Sequence, residues 1–66
     1  MVHLFVEIRG PIDSKALWDE LESYGVNVTD MKDTVLVYAD LPIIEAVTVV
    51  GICSKYGDVK SQIERA

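Results

Sequence analysis

Val2, Leu4, Val6 and Ile8 alternate with His3, Phe5, Glu7 and Arg9, the period-two pattern of a strand that buries one face. Gly10-Pro11 ends it. Asp13 has the chemistry of a helix N-cap, its carboxylate accepting from free N–H groups of the first turn, and Ile12 before it can staple onto Leu17. Leu17, Leu21 and Tyr24 then recur at helical spacing, with Lys15, Asp19, Glu20, Glu22 and Ser23 on the other faces, until Gly25 supplies a stop. The spacing predicts a helix over Ser14 to Tyr24. Val26 and Val28 open a short second strand, and the polar run Asp30-Met31-Lys32-Asp33 reads as a hairpin loop. Alternation resumes with Val35, Val37 and Ala39 on one side and Leu36 and Tyr38 on the other.

Asp40 is placed to cap a second helix with Pro42 in its first turn, where the missing N–H is harmless. The run Ile43 to Tyr56 carries β-branched residues and Gly51, which suit a strand. It is nevertheless long for one, and Glu45, Thr48 and Lys55 fall on one helical stripe, so it is read as a helix. Gly57-Asp58 turns the chain into a last strand in which Val59, Ser61 and Ile63 alternate with Lys60, Gln62 and Glu64.

The order is βαββαβ. Right-handed crossovers then place strands one and three in the centre of a four-stranded antiparallel sheet with both helices on one face. The expected fold is therefore an α+β, ferredoxin-like two-layer sandwich, a single domain over residues 1–66 with no repeat or linker.

That fold does not use all the apolar residues. On a wheel of about 100° per residue, Ile43, Ala46, Val47, Val50 and Cys53 share the arc expected to face the sheet. Ile44, Val49 and Ile52 are left over as a candidate surface patch. Trp18 lies at the edge of helix one's apolar stripe, and Phe5, Leu36 and Tyr38 project from the central strands on the side without helices. A chain this short buries only about 60% of the surface it exposes when unfolded. A lone Cys53 excludes an internal disulfide, and Cys53 with His3 falls short of a structural zinc set, which leaves association as the expected source of extra stability. These residues are the candidate interface for a homo-oligomer or another protein.

Charge narrows the partners further. Eleven acidic against six basic residues give a formal net charge of -5, which disfavours nucleic acid and anionic membrane surfaces. The segment Met1 to Glu7 lacks the basic start and longer apolar run of a signal peptide, and no stretch of about 18 apolar residues is present. The expected location is cytoplasmic.

Two resemblances bear on function. Val6-Glu7-Ile8-Arg9-Gly10-Pro11, an amphipathic helix and then Tyr24-Gly25-Val26-Asn27-Val28 resemble the ACT domain over approximately the first forty residues. That resemblance implies a βαββαβ module that pairs in dimers and binds amino acids or other small effectors near the loop after strand one. In place of the Asp-x-Pro-Gly-like segment common in that family, this chain has Gly10-Pro11-Ile12-Asp13-Ser14. Phe5 and Tyr38 stand where RNA-recognition-motif domains carry stacking aromatics, but Thr34 to Asp40 lacks the basic, glycine-rich third-strand motif of those domains.

No catalytic constellation emerges. His3 has no ligand-spaced partner, Cys53 is expected inside as a small hydrophobe, and Asp19, Glu20 and Glu22 point to different sides of a helix as solvated charges. No metal, cofactor or phosphate loop is indicated. The candidate small-ligand residues are Gly10, Pro11, Asp13 and Ser14, beside the free N–H groups that open helix one. The expected function is a non-enzymatic, homo-oligomeric interaction or regulatory module, with an effector sensor using Gly10 to Ser14 as the alternative.

Overall fold

In the computed structural model, which describes Met1 to Ala66, six regular elements follow in the expected order. They are β1 (Val2–Arg9), α1 (Ser14–Leu21) with a 3-10 turn (Glu22–Tyr24), β2 (Asn27–Met31), β3 (Thr34–Leu41), α2 (Ile43–Cys53) and β4 (Asp58–Arg65). The sheet order is β2-β3-β1-β4, every pair antiparallel, which is the ferredoxin-like α+β sandwich. The central strands supply Leu4, Val6, Ile8, Val35, Val37 and Leu41 to the core, and the helices close it with Leu17, Leu21, Ala46, Val49 and Cys53. The edge strands β2 and β4 contribute no fully buried residue. The strict alternation of β1 and β3 follows from one face meeting helices and the other meeting solvent.

Asp13 caps α1 as its chemistry requires: Oδ1 accepts from the Ala16 N–H at 3.1 Å. Eight residues are too few for an autonomous helix in water, so α1 depends on seating Leu17 and Leu21. The 3-10 turn closes at Gly25, which sits at φ +67° and donates its N–H to the Glu22 carbonyl at 3.2 Å. From the far side, the Glu20 carboxylate takes the Lys55 ammonium at 2.8 Å and the Tyr56 hydroxyl, fastening α1 to the segment after α2.

Three expectations are corrected. The hairpin loop is shorter than its polarity suggested: β2 runs to Met31, and only Lys32-Asp33 turns the chain. Asp30 and Met31 can stay paired because an edge strand leaves their side chains in solvent, and Asp33 accepts the positive φ of 59° that the turn demands. Asp40 does not cap α2. It ends as a β3 residue paired with His3, and Pro42 occupies the N-cap position with no side-chain cap.

The third correction concerns the orientation of α2. Val49 is fully buried and Ile52 is half-buried, whereas Ile43, Ile44 and Val47 are 50%, 78% and 58% exposed. The buried arc is thus rotated by about 60° from the wheel, at about 100° per residue, so that Val49 leaves the candidate patch. The helix is apolar on nearly every side, with Glu45 and Thr48 its only polar marks, and a stripe that wide has no unique inward direction until the sheet chooses one. It ends at Cys53, where Ser54, Lys55 and Tyr56 turn on bonds from the Lys55 N–H to Ile52 and the Tyr56 N–H to Cys53.

Candidate functional site

The register of β1 against both neighbours lays the open face of the sheet out in rows. Asn27, Tyr38, Phe5 and Gln62 lie side by side across all four strands. Asp40, His3 and Glu64 form the row on one side, and Thr29, Leu36, Glu7 and Lys60 the row on the other. Phe5 and Tyr38 are 44% and 42% exposed, with Leu36 half-buried beside them, so the three expected residues do come together as an aromatic and aliphatic centre. A direct cross-strand aromatic pair of this kind stabilises the sheet by roughly 0.2–1 kcal/mol. Its larger consequence is a shallow depression of about 470 Å³, floored by Phe5 and Tyr38 and rimmed by His3, Asp40, Gln62 and Glu64.

The rim is organised by hydrogen bonds. His3 Nδ1 bonds to Asp40 Oδ1, the Gln62 amide donates to Glu64 Oε1 at 2.8 Å, and the Asn27 amide donates to the Tyr38 carbonyl at 3.3 Å. Arg9 Nε lies 3.5 Å from Glu7 Oε2. The His3–Asp40 pair has the form of an acid–base dyad, but neither member bonds to a hydroxyl or thiol, and no three His, Cys, Asp or Glu side chains converge. Sequence reasoning missed this pair because its members are 37 residues apart, and only the register of β1 on β3 puts them opposite one another.

A second apolar surface runs along the flank of the sandwich. Ile43 at the start of α2 shares a depression with Met1, Val2 and Ile63, at the end of the sheet where β4 finishes. Val47 lies one turn on from Ile43 on the same side of the helix, with Ile44 beside it. The expected helix-two patch therefore exists with altered membership: Ile44 stays, Val49 and Ile52 turn inward, and Ile43, Val47 and Ile63 take their places. Trp18, 54% exposed, stands apart over β2 in a depression with Ser14, Lys15, Asp19, Val28 and Asp30.

The loop Gly10 to Ser14 is committed to its own structure. Asp13 Oδ1 already holds an α1 N–H, the Ser14 hydroxyl donates to Asp30 at 2.8 Å, and Gly10, at φ +114°, donates its N–H to the Asp33 carbonyl at 3.1 Å. Gly10, Pro11, Asp13 and Ser14 are adjacent, but the bonds of Asp13, Ser14 and Gly10 go to the first turn of α1, to Asp30 and to the hairpin turn.

Cys53 is buried, and desolvation pushes its thiol up to about 11, away from the thiolate that nucleophilic chemistry needs. The bonds from Lys55 and Tyr56 hold Glu20 below the usual carboxylate range, and the bond to Glu20 raises the Tyr56 phenol to about 12. These shifts describe a clamp between α1 and the segment after α2, and none of its three residues lines either apolar depression. No helix is long and apolar enough to cross a membrane. No family model, curated protein or solved structure matches this chain.

Proposed function

We propose that this chain is a non-enzymatic interaction module, resembling an ACT domain over its first forty residues, that works as a homo-oligomer. The observation that carries this reading is the distribution of apolar surface. Eleven residues are buried, while nine large apolar or aromatic side chains are at least 39% exposed, most of them gathered on the open sheet face and on the α2–β4 flank. Scattered exposed apolar residues need no explanation, but contiguous ones on so small a domain mark contact surfaces. The Gly25-Val26-Asn27-Val28 turn, here a glycine stop followed by an edge strand, supports the ACT-like part of the reading.

Self-association has a direct thermodynamic signature, because pairing that occurs only in the folded state makes the melting temperature depend on protein concentration. The melting temperature is expected to rise steadily from micromolar to millimolar protein, and the rise is expected to vanish in Ile44→Asp/Val47→Asp or in Phe5→Ser/Tyr38→Ser, whichever pair lies in the contact. A melting temperature independent of concentration would overturn the proposal.

A further inference from the structure

The two edges of the sheet are not equivalent. β2 has five residues and is tied to α1 through the Ser14–Asp30 bond, whereas β4 runs for eight residues without proline, glycine or a positive φ. In an antiparallel ladder, alternate residues direct both backbone groups to the same neighbour. The Ala66 N–H donates to the Met1 carbonyl, which assigns the even-numbered residues of β4 to β1. Val59, Ser61, Ile63 and Arg65 therefore turn their N–H and C=O groups out to the open edge. Such a row is a template for another strand unless something blunts it.

Resting on the self-association proposed above, we infer that a second copy of this chain pairs with β4 edge to edge, antiparallel, about a twofold axis at Gln62. A twofold normal to the sheet keeps both helix layers on one side and runs the open-face row Asp58, Lys60, Gln62 and Glu64 of one copy antiparallel to the same row of the other. Charge selects the register. An axis at Lys60 opposes two lysines, an axis at Ser61 opposes Asp58 to Glu64, and an axis at Glu64 opposes two glutamates. An axis at Ile63 sets Gln62 against Glu64 with no opposite charges facing on this side. Only the axis at Gln62 places each Lys60 against Glu64 of the other copy, making two symmetric ion pairs around a pair of amides.

The flank supplies the remaining area. A stable dimer buries about 800 Å² per partner, roughly a fifth of the 4291 Å² this chain exposes, and a strand edge alone is too narrow to reach that figure. On the helix side of β4 stand Ile63 and Ile43, with Val47 one turn along α2, and this twofold turns that flank of each copy toward the same flank of the other, Ile63 opposite Ser61. Backbone donors, charge and apolar surface thus lie along one side of the molecule, and each is complementary to itself under a single operation.

Sedimentation equilibrium, with circular dichroism to check folding, tests the geometry on the full chain. Ser61→Pro removes an outward N–H without touching the bonds to β1, so it is expected to stay folded and become monomeric. Lys60→Glu is expected to weaken the dimer roughly tenfold or more, and Lys60→Glu/Glu64→Lys to restore it. The double variant keeps the altered charge opposite Glu7 within the sheet, so recovery cannot come from repair of the monomer. Should Ser61→Pro unfold, the charge exchange decides alone. A wild-type dimer that survives in folded Ser61→Pro, or one lost in Lys60→Glu and not regained by the exchange, overturns the edge geometry while leaving self-association standing. A wild-type monomer overturns both.

Discussion

The same added methyl group is expected to act with opposite signs at two glycines six residues apart. At Gly57, a Cβ would stand 2.7 Å from the carbonyl oxygen of Arg9, 3.3 Å from Ile12 Cγ2 and 3.4 Å from Ile8 Cγ2. The nearest obstacle is backbone at the end of a central strand, and Ile8 is fully buried, so neither can swing away. Gly57→Ala must separate the start of β4 from the end of β1, an overpacking that costs roughly 1–3 kcal/mol. At about 4–8 °C per kcal/mol for a domain of this size, the melting temperature is expected to fall by roughly 5–20 °C. Gly51, on the solvent side of α2, has nothing within 4 Å. There alanine gains roughly 0.8–1 kcal/mol of helix propensity and raises the melting temperature by about 4–8 °C. Both changes restrict the unfolded chain alike, so the difference between them isolates the native contact. Calorimetry at one fixed protein concentration measures it, and a Gly57→Ala variant melting at or above wild type would refute the packing of the α2–β4 turn against β1.

Further outcomes follow from the burial and the polar contacts. Val49→Asp puts a charge at a fully buried position and is expected to abolish folding, whereas Ile44→Asp, at a 78% exposed position, is expected to melt within a few degrees of wild type in the monomer. With its thiol near 11, Cys53 is thiolate to roughly one part in a thousand at pH 8. Iodoacetamide is therefore expected to label the native protein at least a hundredfold more slowly than the urea-unfolded one. The Glu20 clamp gives a signed pH dependence: its lowered carboxyl contributes stability above 4.5 that disappears as pH falls through the folded value. The Tyr56 contribution is complete below pH 10.0 and lost as pH rises through about 12. In Glu20→Gln, a tyrosinate absorbance titration is expected to show one of the three tyrosines returning toward 10.0.

The parts of the fold legible in the sequence were those in which one face alone meets the core. The alternation Val2, Leu4, Val6, Ile8 admits a single inward face, and Asp13 with Gly25 brackets α1 by local chemistry that needs no partner. Orientation is hidden in α2, where Ile43, Ile44, Val47 and Val49 are interchangeable on a wheel, so that the wheel puts Val49 at the surface and Val47 in the core while the sheet imposes the reverse. Asp40 carried a cap's local signature, yet its partner is His3, set by strand register. Phe5, Leu36 and Tyr38 were legible as a surface because they oppose buried residues on the same two strands. The α2–β4 flank was not, because it exists only once β4 closes the edge beside Ile43.

The claim on which the functional reading stands is that two copies of this chain associate, and the mass of the species in solution tests it most directly. Sedimentation equilibrium of the wild-type protein at high micromolar concentration is expected to give twice the chain mass of 7.3 kDa. A mass of 7.3 kDa that holds unchanged to the millimolar range would contradict it.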